Sequence, residues 1–248
     1  MADAILAVKN VTKLFDSFTA LRDVSVSFER GSLTAIIGPN GAGKSTFFNV
    51  ISGAFPPTWG RVLFDGRDIT GAKPHEFARM GIAKSFQITN VFPLLSAHEN
   101  VRVAAQMRRS RFNLFTARAT MKELSEEADA LLERVGLYEV RHRPARDMAH
   151  GQQRSLEVAM ALACRPQLLL LDEPTAGMSP EETTAMMNLI VSLAAERTVI
   201  LVEHKMKLVM GICNRLIVLH HGEFLAEGTP DEIRANGEVK RVYLGQSV

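Results

Sequence analysis

Residues 38–45, GPNGAGKS, are preceded by the apolar run LTAII and followed by the helix-like run TFFNVIS. They match the pattern GxxxxGK[ST], whose required setting is a strand before the loop and a helix after it. Gly38, Gly41 and Gly43 allow backbone N–H groups to curl around phosphates, Lys44 can neutralise the terminal phosphates, and Ser45 offers an oxygen to Mg²⁺. The stretch therefore predicts a phosphate-binding loop after a buried strand.

A second apolar run, LLLLDEP at residues 168–174, ends in two carboxylates, Asp172 and Glu173. In α/β folds, ligands bind at the carboxyl ends of the parallel strands. We expect Asp172 to orient the magnesium shell and Glu173 to polarise a water for in-line attack on the γ-phosphate. An apolar strand ending in Asp-Glu is by itself most often a strand meeting solvent, and the phosphate loop upstream favours the catalytic interpretation.

Two further polar residues gain significance from these motifs. His204 follows the apolar run TVILVE, which would bring it out at the same sheet edge, and Gln87 lies in the stretch KSFQ. Taken alone, His204 is more often an ordinary strand-end residue and Gln87 a solvated amide.

Hydrophobic patterns divide the chain into three parts. The first ninety residues alternate short strand-like segments with glycine turns and contain one convincing helix, STFFNVIS. Residues 98–165 have helical spacing, with Leu124, Ala128, Leu131 and Val135 on one face. From residue 166, two apolar strands flank the helical run EETTAMMNLIVSLAAE, before a strand–turn–strand and a short terminal helix. The strand–helix–strand order predicts an α/β fold with parallel pairing.

The composition is that of a soluble globular protein, with 248 residues, 46% of them hydrophobic and 23% charged. A net charge of +2 lacks the concentrated basic character of a dedicated nucleic-acid binder, so no nucleic-acid partner is expected. No apolar run reaches the roughly 20 residues that cross a bilayer, and the start MADAILAVKN does not have the charge of a secretory signal. These features predict a cytoplasmic protein that would act at a membrane only through separate membrane-spanning partners.

The stretch AHGQQR, residues 149–154, opens a second helical pattern and raises the question of a second anion site. Free backbone N–H groups at a helix start bind anions. Because the chain already has a phosphate loop, this second site would need a phosphate from elsewhere.

In their order along the chain, these motifs resemble the ATP-binding subunit of ABC transporters. GPNGAGKST resembles the family's Walker A loop, LLLLDE its Walker B segment, Gln87 its Q-loop glutamine and His204 its switch histidine. The resemblance implies a P-loop NTPase (RecA-like) core that uses ATP and Mg²⁺, with an N-terminal antiparallel β subdomain and an inserted α-helical subdomain. It implies one ABC ATPase domain over 1–248, with the core and β subdomain at 1–97 and 166–248 and the helical signature subdomain at 98–165.

The resemblance also implies roles for individual residues. The implied catalytic residues are Lys44, Gln87, Glu173 and His204, and the implied metal-binding residues are Ser45, Gln87 and Asp172. The implied nucleotide-binding residues of the same chain are Phe15, Gly38, Pro39, Asn40, Gly41, Ala42, Gly43, Lys44, Ser45 and Thr46. Phe15 stands where the family places an aromatic ring under adenine, and a core phenylalanine beside a hairpin is the alternative interpretation.

MAHGQ, residues 148–152, occupies the place of the family's LSGGQ signature, which contacts ATP bound to the opposite subunit. The resemblance thus implies that Ala149, His150, Gly151 and Gln152 bind nucleotide in trans, in a head-to-tail dimer that encloses two ATP molecules. The sequence departs from the family pattern at three positions. Ala149 replaces a serine, His150 replaces a glycine, and Ser179 stands where an aspartate is common.

Longer blocks resemble the LivG-like branch of the family, the branched-chain amino acid import ATPases. They include GTPDEIRANGEVKRVYLG near the C-terminus. This branch implies an ATPase motor on the cytoplasmic face of the inner membrane, paired with itself or with a LivF-like ATPase, two membrane permease subunits and, indirectly, a periplasmic solute-binding protein. Importers of urea, amides or aromatic compounds share the branch and remain alternatives.

Other classes of ATPase share some of these motifs. A cytosolic ABC ATPase acting on nucleic acid or ribosomes would use the same pocket, but such proteins usually carry paired ATPase domains or coiled-coil insertions. A P-loop kinase or GTPase is disfavoured by the signature-like helix and the lack of an NKxD motif. Residues 106–122 mix basic residues with two phenylalanines, which favours a solvated helix and loop, with contact to anionic headgroups as the functional alternative.

Overall fold

The computed structural model describes residues 3–85, 91–107 and 117–244, with side chains for all of these except residues 117–120 and Leu244. Within these ranges a six-stranded sheet forms the centre of the fold. Its strands are β3 (Leu33–Ile37), β6 (Ile82–Lys84), β7 (Leu168–Asp172), β8 (Thr198–Val202), β9 (Arg215–His220) and β10 (Glu223–Gly228). Their spatial order is β10-β9-β3-β8-β7-β6, and β10 alone of these runs antiparallel to its neighbour.

A second, antiparallel sheet lies in the N-terminal part. Its strands are β1 (Ala4–Phe15), β2 (Phe18–Glu29), β4 (Trp59–Phe64) and β5 (Arg67–Asp68), in the order β2-β1-β4-β5. The parallel sheet and this antiparallel sheet confirm the predicted fold class, including the N-terminal β subdomain.

The helices of the described residues surround the six-stranded sheet or follow it. They are α1 (Lys44–Ile51), α2 (Pro74–Met80), α3 (Ala97–Gln106), α4 (Ala117–Arg134), α5 (His150–Ala163), α6 (Pro180–Ala194), α7 (Met206–Ile212), α8 (Pro230–Ala235) and α9 (Gly237–Leu244). Two 3-10 helical turns, Tyr138–Val140 and Ala145–Asp147, connect α4 to α5. No helix in the described ranges combines the length and the apolar character needed to cross a membrane.

The six-stranded sheet is covered on both faces, which explains its continuous apolar runs. Every residue of β7 is buried. Leu169 and Leu171 pack in the core shared with α3 to α6, whereas Leu168 and Leu170 pack in a second core that includes Phe47 of α1. Because both faces are buried, β7 and its neighbours hold the loops at their carboxyl ends on a rigid support.

The helical face predicted for α4 differs at one residue. Leu124, Ala128 and Val135 are buried as predicted, but the fully buried residue of the next turn is Leu132, with Leu131 only partly buried at the edge of the same core. A step of four from Ala128 to Leu132 keeps the buried stripe facing α3 and α5.

The prediction of one helix in the first part of the chain is wrong, because α2 is present there as well. Pro74 occupies its first turn, the Lys73 backbone N–H donates to Glu76 Oε2 at 2.7 Å, and Gly81 ends the helix at φ +93°. Its one buried side chain is Phe77, so it shows little hydrophobic periodicity. The proline at its start and the glycine at its end were the sequence signals that could have predicted this helix. The C-terminal end likewise contains two helices, α8 and α9, rather than one.

Candidate functional site

The phosphate loop connects the end of β3 to the start of α1. Gly43 stands at the N-cap of α1 with φ +93°, and a Cβ there would lie 2.9 Å from the Ala20 carbonyl oxygen and 3.0 Å from Leu21 Cδ2. The Gly222 N–H donates to the Ala42 carbonyl at 3.1 Å, which ties the loop to the β9–β10 turn. Both the backbone conformation and the close packing therefore require glycine at position 43.

Lys44 is folded into this loop. Its side-chain Nζ donates to the Gly38 carbonyl at 2.8 Å and to the Pro39 carbonyl at 2.9 Å, and the residue is 8% exposed. Burial lowers the pKa of Lys44, and the negative charge of Glu173 partly opposes that effect. A buried ammonium at the N-terminal end of a helix, beside backbone N–H groups, creates a site for an anion such as phosphate.

The two carboxylates of the second motif end β7 in different environments. Asp172 is 4% exposed, and burial raises its pKa, while the positive charges of Lys84 and Arg154 act in the opposite direction. Glu173 leaves the strand at φ +45°, its backbone N–H donates to the Val202 carbonyl at 3.0 Å, and its side chain is 26% exposed. Asp172 is thus held inside the sheet edge, and Glu173 is turned toward solvent.

His204 lies beside Glu173. It follows β8, the neighbour of β7 in the sheet, and its Nδ1 is 3.7 Å from Glu173 Oε1. About half of its side chain is exposed. The structure therefore brings Lys44, Asp172, Glu173 and His204 to one edge of the parallel sheet.

Phe15 ends β1 as a partly exposed aromatic ring. It is 43% exposed, and its ring meets Phe55 edge-on with 5.4 Å between the centroids. Phe15 pairs with Phe18 across the hairpin, and Ala20, two residues farther along β2, contacts the phosphate loop at Gly43. The Phe15 ring and the phosphate loop thus lie near the same edge of the antiparallel sheet. The alternative interpretation of Phe15 as a core residue does not fit its exposure.

The signature segment opens α5. Ala149 is its N-cap residue, and the Ala149 N–H donates to Gln152 Oε1 at 3.1 Å. The His150 ring lies over Gly177, where an added Cβ would come within 3.1 Å of it, and the Glu182 carboxylate packs closely against Gly151. Among the described residues, no hydrogen bond from 149–152 reaches the phosphate loop.

The departure at Ser179 has a structural role. Ser179 is the N-cap of α6, where its Oγ accepts from the Glu182 N–H at 3.2 Å and donates to Glu181 Oε2 at 2.9 Å. The Ser179 N–H in turn donates to Glu182 Oε2 at 2.9 Å, which completes a capping box.

Comparisons with known proteins agree with this arrangement. The model of the ABC transporter family matches residues 21–176, which is more than half of the chain. The chain belongs to the ABC transporter family. A second model, the branched-chain amino acid ATP-binding cassette transporter, matches residues 225–248. The chain is therefore an ABC ATPase that binds ATP, in a family that couples ATP hydrolysis to transport.

Individual relatives align over most or all of the chain. The high-affinity branched-chain amino acid transport ATP-binding protein BraF of Pseudomonas aeruginosa is 40% identical over 100% of both chains. An ATP-binding cassette of an ABC transporter, solved in its ADP conformation, is 33% identical with a TM-score of 0.85 and covers 98% of this chain and 99% of its own. A cassette solved as a dimer in a post-hydrolysis state with ADP and phosphate is 29% identical with a TM-score of 0.79, covering 91% of this chain and 98% of its own.

Gln87 lies outside the described residues, as does most of the basic segment 106–122. The described residues on either side of Gln87 are Ser85, directly after β6, and the turn that begins at Val91 before α3. That turn is fixed by the fully buried Asn100, whose Oδ1 accepts from the Phe92 N–H at 2.7 Å.

The sequence analysis did not identify several buried or half-buried polar residues near the site. Arg154 and Glu157 of α5 form a buried ion pair, with Arg154 Nη1 2.9 Å from Glu157 Oε2. Lys84 Nζ donates to Asn49 Oδ1 at 2.7 Å, and burial lowers its pKa while the charge of Asp172 opposes that shift. Lys84 and Asn49 are 35 residues apart, whereas Arg154 and Glu157 are one turn apart on α5, and neither pair has a motif of its own. A charged residue within an otherwise apolar run was the sequence signal that could have indicated such a polar contact.

Proposed function

We propose that this chain is the ATP-hydrolysing subunit of an importer of amino acids, most specifically branched-chain amino acids. The observation that carries the hydrolysis part is the meeting of Lys44, Asp172, Glu173 and His204 at the edge of one sheet. The amino-acid part is supported by the full-length similarity to BraF and by the match of residues 225–248 to the branched-chain cassette model.

Nucleotide binding would use the phosphate loop and the aromatic ring of Phe15. Backbone N–H groups of residues 38–46 and the ammonium of Lys44 would hold the phosphates. Phe15 would stack under the adenine, which is worth about 1–3 kcal/mol in comparable base–aromatic contacts. The existing carbonyl contacts of Lys44 show that its side chain already bends back over the loop.

The donors at the sheet edge fit a magnesium ion. Burial of Asp172 disfavours the charged form of its carboxyl group and so raises its pKa. A cation beside the carboxylate would offset this desolvation cost. Ser45, in the first turn of α1, and Gln87 would complete the protein ligands, all of them oxygen donors as Mg²⁺ prefers. When bound, Mg²⁺ neutralises negative charge on the β- and γ-phosphates.

In hydrolysis, Glu173 would accept the proton of the attacking water. Its partly exposed carboxylate faces His204, whose Nδ1 is 3.7 Å away and which would orient the water and the γ-phosphate. Asp172 is buried and Glu173 is partly exposed, so the two adjacent carboxylates would have separate tasks.

A second ATPase chain would complete the site. Ala149 and His150 are exposed at the start of α5, where backbone N–H groups point out of the helix, and residues 149–152 make no hydrogen bond to the phosphate loop within the described ranges. We propose that they contact ATP on the partner chain, in a homodimer or a LivF-like heterodimer. A dimeric assembly is known for one solved relative.

The remaining parts of the proposal concern domains and partners. Residues 1–97 and 166–248 would form the ATP-binding core with the β subdomain, and residues 98–165 the helical signature subdomain. Two permease subunits would hold the ATPase at the cytoplasmic face of the inner membrane, and a periplasmic solute-binding protein would deliver the solute. No nucleic acid takes part.

Uptake by cells that lack the gene for this chain tests the proposal. We expect radiolabelled leucine, isoleucine and valine uptake to be lost, to return with the parent chain, and to stay absent with Glu173→Gln expressed at equal level. Loss of urea, amide or aromatic-compound uptake instead, with amino-acid uptake unchanged, would contradict the amino-acid assignment.

A further inference from the structure

We propose that Glu203 and Thr175 form a positioning pair that holds His204 in register with Glu173. The inference rests on the proposed function, because it assigns the pair a role in ATP hydrolysis. Neither residue was among the candidates found from the sequence.

The pair joins the two loops that carry Glu173 and His204. The Thr175 hydroxyl donates to Glu203 Oε1 at 2.6 Å, and the His204 backbone N–H donates to Glu203 Oε2 at 3.2 Å. One carboxylate oxygen is thus bonded to the loop after β7, and the other to the loop after β8.

Both members of the pair are fully buried, each with 0% exposure. A carboxylate that deep in a protein is costly unless donors satisfy its oxygens. Hydrogen bonds to a charged acceptor are also stronger and more directional than those between neutral groups. The buried carboxylate therefore constrains the distance between the two loops more tightly than a neutral contact would.

The Thr175 contact completes the anchoring of a strained turn. Glu173 has φ +45°, a conformation that residues other than glycine rarely adopt. Its N–H donates to the Val202 carbonyl and its carbonyl accepts from the Ala176 N–H, both at 3.0 Å. Such strain persists where several contacts hold it, and the bond from Thr175 to Glu203 is one of them.

The result of this anchoring is the position of His204. The imidazole Nδ1 lies 3.7 Å from Glu173 Oε1 and 4.0 Å from Glu203 Oε2. Its ring is half exposed and its side chain makes neither of the bonds that fix the loop, so the backbone contact to Glu203 helps to fix the main-chain position from which the ring extends. Neither Glu203 nor Thr175 reaches the solvent-facing edge, which makes them positioning residues rather than catalytic ones.

The experiment compares Thr175→Val with its matched control Thr175→Ser, using steady-state ATPase assays. Valine keeps the shape of threonine and removes the hydroxyl, whereas serine keeps the hydroxyl and removes a buried methyl group. We expect kcat to fall about tenfold in Thr175→Val, the equivalent of one net hydrogen bond, with the KM for ATP unchanged. Thr175→Ser should retain most of the parent kcat, although it loses more packing.

Combination with His204→Ala separates positioning from general stability. If the pair acts through His204, Thr175→Val should lower kcat less than twofold further when His204 is already alanine, since coupled residues are not additive. Glu203→Gln, which leaves one of the two donors without an acceptor, should behave like Thr175→Val. If Glu203→Gln does not fold, the comparison of Thr175→Val with Thr175→Ser still tests the positioning role.

Two results would overturn the inference while leaving the proposed ATPase intact. One is an active parent whose kcat is unchanged in Thr175→Val, and the other is a tenfold loss that persists in full in the His204→Ala background. A folded parent protein without ATPase activity at any concentration, both alone and with its LivF-like partner ATPase, would instead remove the proposed function, and the inference with it.

Discussion

Replacement of Gly43 by alanine should destabilise the protein far more than the same change at Gly41. Both glycines have positive φ, +93° and +78°, so each alanine would bear about 1–2 kcal/mol of left-handed backbone strain. At Gly41 nothing lies within 4 Å of the added Cβ. At Gly43 the Cβ would meet the Ala20 carbonyl oxygen at 2.9 Å and Leu21 Cδ2 at 3.0 Å, which should add about 1–3 kcal/mol.

The expected losses in the free energy of unfolding are thus about 1–2 kcal/mol for Gly41→Ala and about 2–5 kcal/mol for Gly43→Ala. Urea unfolding followed by circular dichroism, without nucleotide, measures both, and equal m-values would show that the denatured states are comparable. Because strain at Gly43 can be relieved by moving the loop away from β2, Gly43→Ala should also bind ATP more weakly than its loss of stability alone explains. Equal destabilisation by the two variants would refute the close-packing argument.

Four further predictions concern charge and chemistry at the site. Lys44→Ala should weaken ATP binding at least about tenfold through loss of the buried ammonium; a fluorescent-nucleotide titration that matches the parent would remove Lys44 from the phosphate site. Glu173→Gln should lower kcat about 10²–10⁴-fold while ATP binding persists, since the base is lost and the loop contacts remain; parent-like turnover would exclude Glu173 as the base. Ala149→Ser should restore a hydroxyl donor at the signature and raise the ATPase rate, and a lower rate would show that alanine belongs to the working geometry. For Asp172, burial raises the native pKa, so the folded chain binds its proton more tightly than the unfolded chain does. The free energy of unfolding should therefore fall as pH rises from the ordinary aspartate range through the raised pKa, and this fall should be absent in Asp172→Asn; superimposable pH–stability curves of parent and variant would contradict this.

Local sequence signals were sufficient for the central part of the fold. The phosphate loop combines glycines, a lysine and a flanking strand and helix within a few residues, so one window of sequence contains all of its determinants. The buried strands β7 and β8 were visible as apolar runs because both of their faces are covered. Short helices with little apolar periodicity, such as α2, were not visible by periodicity, and only their capping residues marked them.

The polar contacts behind the site could not be obtained in this way. Thr175 and Glu203 are 28 residues apart, and their hydrogen bond exists because β7 and β8 are neighbours in register. The same holds for Lys84 and Asn49, which meet across the gap between β6 and α1. Sequence indicates the residue types, but the pairing depends on the tertiary arrangement of the strand ends.

The shared site between two chains is the claim on which the proposed mechanism depends. Its most direct measurement is the ATPase rate per chain over a wide range of protein concentration, with the oligomeric state followed by light scattering in the same samples. We expect the rate per chain to rise with the dimer fraction, formed by this chain alone or with its partner ATPase, and to vanish on dilution to monomer. A monomeric chain that hydrolyses ATP at the full rate, independent of concentration, would contradict the shared site.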